Sequence, residues 1–173
     1  METRASPGRR ARLRFCTLAR GWPRYYETTP IFTREVLLRA IPNAPGYFKG
    51  RIGKWAVDPY AFQPNRKRDV DGMSFFREDF TTPKEVADTN RHPAGARVAK
   101  ITVQQLRSLG LDVECGPDES QLPGHAIVPG MRFVEGLSKE QKRSIATLSL
   151  KLAEFASANG VYCPPGLPDP PLR

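Results

Sequence analysis

Two histidines and three cysteines in 173 residues leave this chain few of the side chains that hold metals or attack substrates. Cys16, Cys115 and Cys163 are odd in number and widely spaced, which argues against a disulfide framework and for a reducing, cytoplasmic setting. No Cys or His residues stand at the close paired spacing of a zinc site. Asp69-Val70-Asp71-Gly72 opens like a calcium loop, but Phe80 occupies the twelfth position, where a bidentate glutamate is required, so these residues read as a turn. The glycine fingerprint of dinucleotide sites, the phosphate loop and the Gly-x-Ser-x-Gly elbow are all absent. No metal and no cofactor is expected. No run approaches the ~20 apolar residues that cross a bilayer, and no apolar stretch of signal-peptide type stands near the start. No membrane role is expected.

Positive charge is what the chain does have, and it is unevenly placed. Net charge is +9, and residues 1–25 hold seven arginines, no lysine and one acid, Glu2. Three readings of that segment stay open: a solvated tail with too little apolar surface to order, a phosphate-binding arm, and a targeting peptide or a start set too far upstream. In the second reading Arg9, Arg10, Arg12 and Arg14 bind phosphates, joined by Arg77 from the body, and deleting residues 1–25 abolishes nucleic-acid affinity. Trp22, Tyr25 and Tyr26 are placed to clip the arm to the domain.

Apolar residues make up 39% of the chain, with 17 prolines and 14 glycines, which implies an ordered middle and loose ends. The division is an arm over 1–30, one α+β domain over 31–160 and a proline-rich tail over 161–173. Strands are predicted over 36–41, 73–76, 96–101, 111–115 and 126–128. A packed loop covers 43–65, with a short strand near Trp55-Ala56-Val57. The sheet is expected to be mostly antiparallel or mixed, with about three helices. Three capping boxes mark their starts: Thr82 with Glu85, Thr102 with Gln105, and Ser138 with Gln141. The last helix is long and amphipathic, with Ile145, Leu148, Leu152, Phe155 and Ala156 on one stripe before Gly160. The tail CPPGLPDPPLR reads as extended polyproline, available for docking.

His125, behind Pro123-Gly124 at the start of an apolar strand, is either an acid–base group or a histidine bonded to a loop carbonyl. His92 lies in a polar loop, and Cys115 reads as an inert thiol on the apolar parity of its strand. Arg39 is the lone charge inside VLLRAI. It either snorkels at a sheet edge or projects into a pocket as an anion clamp. Ser74, Arg77 and Glu78 are the polar groups placed near it.

Three blocks, LLRAIP (37–42), AFQPNRKRDVDGMSFFRE (61–78) and LRSLGLDVECGPDESQLPGHAIVPG (106–130), together resemble a largely uncharacterised family of small bacterial proteins. Its pattern is a Leu-x-Arg-x-Ile strand, an Asp-Gly-x-Ser-x-x-Arg-Glu turn and a Pro-x-His-Ala hairpin. The matching positions are Arg39, Phe62, Asp71, Gly72, Ser74, Arg77, Glu78 and His125. The resemblance implies boundaries and candidate positions, and no reaction. The order Arg39, Ser74, Glu78 also echoes ADP-ribosyltransferase folds, where arginine and serine support NAD and glutamate orients the nucleophile. The leading expectation is a non-catalytic binding or accessory module engaging a protein or nucleic-acid partner. The alternative is a small enzyme acting on a nucleotide or phosphorylated substrate, with Arg39, Ser74, Glu78 and His125 as its catalytic group.

Overall fold

The β-rich stretches VLLRAIP and ARVAKIT form the two central strands, β1 (Val36–Pro42) and β5 (Ala96–Thr102). They pair antiparallel from Val36↔Thr102 to Pro42↔Ala96. The computed structural model describes residues 29–89, 92–116 and 122–172. The arginine arm with its aromatic clip lies outside these, as do residues 117–121. The remaining strands are β2 (Phe48–Arg51), β3 (Lys54–Val57), β4 (Met73–Arg77), β6 (Glu114–Cys115), β7 (His125–Val128) and β8 (Val161–Tyr162). Six of them form one sheet in the order β6-β7-β4-β1-β5-β8, and β2 and β3 form a separate hairpin. Every pairing is antiparallel. With helices α1 (Pro83–Thr89), α2 (Val103–Ser108) and α3 (Lys139–Asn159), the fold class is α+β as the sequence indicates.

All three capping boxes form. Thr82 receives the Glu85 carboxylate on its amide at 2.7 Å, and the Glu85 amide returns to the Thr82 hydroxyl. Thr102 with Gln105 and Ser138 with Gln141 do the same at α2 and α3. Each box satisfies two amides that have no partner inside the helix, which is why such short sequences specify helix starts.

Strand parity divides the sheet into two faces. One carries Leu37, Ile41, Met73, Phe75, Ala99, Ile101, Ala126 and Val128, and α3 covers it with Leu152, Ala153 and Ala156. The other carries Leu38, Val98 and Phe76, and the short α1 covers part of it with Val86 and Ala87.

Three segments differ from expectation. Residues 48–57, read as loop with one short strand, form a complete hairpin, rooted by Phe48 and Val57 in the main core. Leu111–Cys115 alternates in burial as predicted, but only Glu114 and Cys115 join the sheet, because the Leu111 amide closes α2 onto the Leu106 carbonyl at 3.1 Å. Val161 and Tyr162, assigned to the tail, form the edge strand beside Val98 and Ala99. The prolines beyond them do not hang loose. Buried Arg97 donates to the Pro168 carbonyl at 2.6 Å, Pro170 is buried, and Leu172 packs against the core.

Candidate functional site

Three arginines, Arg39, Arg77 and Arg97, sit almost fully buried on the face that α3 covers. A buried guanidinium requires internal partners, and each has them. Arg39 lies in a central strand and not at a sheet edge, and its guanidinium is taken up by internal partners. It faces Asp69 across two N–O contacts of 3.5 Å, and Asp69 is itself fully buried. Burial pushes the Arg39 guanidinium below its ordinary value, Asp69 opposes that shift, and neighbouring Arg68 adds to it.

The pair also completes the sheet. The β1–β4 register spans only Leu37↔Arg77 and Leu38↔Phe76. Beyond it, the Ser74 carbonyl accepts from Arg39 Nη1 at 2.9 Å, and the Ser74 amide donates to Asp69 Oδ1 at 3.4 Å. Asp69, which reads as a mere turn residue, is the partner that sequence reasoning missed.

Arg77 was expected to meet a partner molecule. Instead it forms a two-pronged bond with buried Glu35, at 2.7 and 2.9 Å, and donates to the carbonyls of Thr29 and Pro30. It staples the segment leading out of the arm to the sheet. Arg97 bonds Asn43, the Cys163 thiol and Pro168, and stacks over Trp55 at 4.7 Å. It holds the tail as Arg77 holds the opposite end.

Ser74 and His125 do meet. Their side chains project from the other face of the sheet, with His125 Nε2 3.2 Å from Ser74 Oγ. The imidazole lies 5.6 Å from the Phe76 ring and against Gly116, where any Cβ would collide with Nδ1. Glu78 shares this face and pairs with Lys100 at 2.7 Å. The single pocket expected for Arg39, Ser74, Glu78 and His125 is therefore split: Arg39 points to the α3 side, and the other three to the α1 side. Arg9, Arg10, Arg12 and Arg14 lie outside the described residues. Among the described residues no group of three or more His, Cys, Asp or Glu side chains is placed to hold a metal ion.

A second constellation emerges along one flank of α3, and no single motif announces it. At the helix start, Arg132, Phe133 and Val134 face Pro64, Lys142 and Ile145 across a shallow groove of about 230 Å³. Exposed Arg66, Lys67 and Arg68 follow directly after the groove wall, and the Asp69 carbonyl accepts the Phe133 amide at 2.7 Å, tying the two segments together. Arg66 meets Glu135 at 3.1 Å in an exposed pair that water screens heavily. Lys139, Lys142 and Arg143 share one helical face at spacings of three and four. Further along the same flank the hairpin root packs beside Ala153 and Ser157, and the Val57 amide donates to Ser157 Oγ at 3.0 Å. That hairpin carries Lys49, Arg51 and Lys54, all exposed. From Lys142 to Ser157 the α3 axis runs about 22 Å, at roughly 1.5 Å per residue.

No helix among the described residues is long and apolar enough to cross a membrane. Compared with protein-family models, with curated proteins and with solved structures, the chain matches none of them.

Proposed function

We propose that this protein is a non-catalytic binding module whose partner is nucleic acid, engaged through the phosphate backbone. One observation carries the reading. The buried arginines are consumed by internal partners, while exposed cations gather beside α3: Lys49, on the hairpin that also carries Arg51 and Lys54, along its second half, and Arg132 and Lys142, with Arg66, Lys67, Arg68 and Arg143 following or preceding them in the chain, at its start. Spaced cations along an extended surface suit a polyanion, whose condensed counterions are released on contact. The arginine arm adds charge of the same sign.

Fluorescence anisotropy with a labelled 20-base-pair duplex tests this. Four phosphate contacts predict that affinity falls roughly a hundredfold between 50 and 200 mM salt. Replacing Arg66, Lys67 and Arg68 together by glutamate lowers affinity in the full chain and also after residues 1–25 are removed. A chain that binds no duplex at 50 mM salt, or binds equally at both salts, rules the reading out.

A second reading rests on the Ser74–His125 contact. A histidine within hydrogen-bond reach of a serine hydroxyl is the minimal arrangement for a base and a nucleophile. In it the protein is a small enzyme acting on a nucleotide or phosphorylated substrate, and Lys100 rather than Arg39 is the cation on the reacting face. Turnover of a nucleotide ester that disappears in both Ser74→Ala and His125→Ala, with duplex binding unchanged, would establish this second activity.

A further inference from the structure

The β2–β3 hairpin is firmly rooted and bare at its tip. At the root, Phe48 and Val57 are buried, Phe48 meets Trp55 edge-on at 5.1 Å, and the Arg97 guanidinium lies over both rings, 5.9 Å from Phe48 and 4.7 Å from Trp55. At the tip, Ile52 is 85% exposed, more than any other large apolar side chain among the described residues. Directly beneath it Arg51 and Lys54 face each other as a cross-strand pair, and Lys49 follows one step down. Like charges opposite each other on a ribbon repel and weaken it. An isoleucine left in water gains nothing from the hydrophobic effect. Two unfavourable features thus coincide at one tip, and no acidic side chain occupies residues 45–57.

The tip is also unusually slender. Gly50 takes φ +128°, and a Cβ there would stand 2.5 Å from the Lys54 carbonyl oxygen. Only glycine allows the two backbones this approach. With Gly53 in the turn, the last four residues form a ribbon whose bulk is one isoleucine and two long cations.

We infer that this hairpin is a wedge for duplex nucleic acid: it enters the minor groove, Ile52 inserts between two base pairs, and Arg51 and Lys54 each take a phosphate on opposite strands. This rests on the nucleic-acid reading above and assigns its point of contact. Two-stranded ribbons are accommodated in the minor groove as well as in the major one. Apolar wedges between base steps unstack and kink the duplex. Phosphates at the flanks relieve the Arg51–Lys54 repulsion, and the opened step removes Ile52 from water. Both liabilities of the isolated tip are thereby resolved by one partner. An anionic lipid surface is the competing occupant, but one isoleucine is a smaller anchor than a single acyl chain, which alone holds a protein only marginally.

The test uses the full chain, its Ile52→Ser variant and its Arg51→Ala/Lys54→Ala variant. The probe is a 20-base-pair duplex carrying 2-aminopurine at a central step. The native chain is expected to raise 2-aminopurine emission several-fold on binding. Ile52→Ser, a surface change that leaves the fold intact, abolishes that rise and weakens binding about tenfold with an unchanged salt slope. The double variant lowers the slope by about 2, near 0.9 per lost phosphate contact. Salt-dependent binding with no emission change, or with Ile52→Ser identical to the native chain, overturns the wedge and leaves the binding module standing. No duplex binding at 50 mM salt overturns both. Binding that depends on Ile52 only with phosphatidylserine vesicles, and not with duplex, assigns the tip to a lipid surface and overturns the wedge.

Discussion

Ser74 accepts Arg39 through its carbonyl at 2.9 Å, although the Ser74 hydroxyl and the Arg39 side chain leave the sheet on opposite faces. The main-chain contact draws the two residues together, and the alternation of the strands keeps their side chains apart. Arg39 is thus part of the sheet's construction, while Ser74 and His125 face the side that the short α1 only partly covers.

The Arg39–Asp69 pair makes a first prediction. Asp69→Ala leaves a buried cation without its counterion, and a loss of about 3–5 kcal/mol in urea unfolding is expected. Arg39→Met/Asp69→Leu recovers much of this, since the uncompensated charge goes with the carboxylate. Because burial lowers the Arg39 pKa, the folded chain holds that proton less tightly than the unfolded chain. The resulting penalty is fully present below the folded value and is relieved only as pH rises through it, so acidification does not rescue Asp69→Ala. A loss under 1 kcal/mol at neutral pH would show that the pair carries no such weight.

The second concerns the tail. Removing residues 163–173 takes away the Pro168 carbonyl, the Cys163 thiol and the Leu172 contact, and leaves Arg97 with Asn43 and the rings of Trp55 and Phe48. Lost bonds to a charged group cost about 1.5–3 kcal/mol each, so the truncated chain is expected to melt well below the full one. Equal melting temperatures in scanning calorimetry would mean the tail is dispensable.

Gly116→Ala places a methyl group against His125 Nδ1. Overpacking of this kind costs roughly 1–3 kcal/mol, and the ring must tilt toward Phe76. Carbon-bound proton resonances of His125 and Phe76 should shift together. If neither moves, the imidazole does not rest on residue 116.

On α3, Leu152 is fully buried and Leu150 is 39% exposed. Leu152→Asp puts an unpaired carboxylate into the core and is expected to prevent folding or to cost more than about 4 kcal/mol. Leu150→Asp stays within about 0.5 kcal/mol. Circular dichroism in a urea series separates the two.

Much of the architecture was legible because its signals are local. A hydroxyl three residues before Glu or Gln specifies a helix start through bonds closed within one turn, and all three such starts form. The spacing of Ile145, Leu148, Leu152, Phe155 and Ala156 likewise placed the long helix correctly; of that stripe Leu152 and Ala156 are buried, joined by Ser149 and Ala153. The hairpin over 48–57 was harder to see, since its two strands offer only four residues each, interrupted by glycine, and its stability comes from the core beneath its root.

The chain's own order of residues determined where helices begin, which strand positions face inward, and that positive charge exceeds negative. Only the folded arrangement decided which charges remain exposed. Arg39 and Arg77 read like binding residues, yet Asp69 and Glu35, 30 and 42 positions away, take them up internally, as Pro168, 71 positions away, takes up Arg97. Lys49 and Lys142 stand 93 positions apart, yet each comes to line a groove along α3. The reason is physical: a helix cap is completed within four residues, whereas the partner of a buried ion is chosen by whichever distant segment the sheet brings beside it.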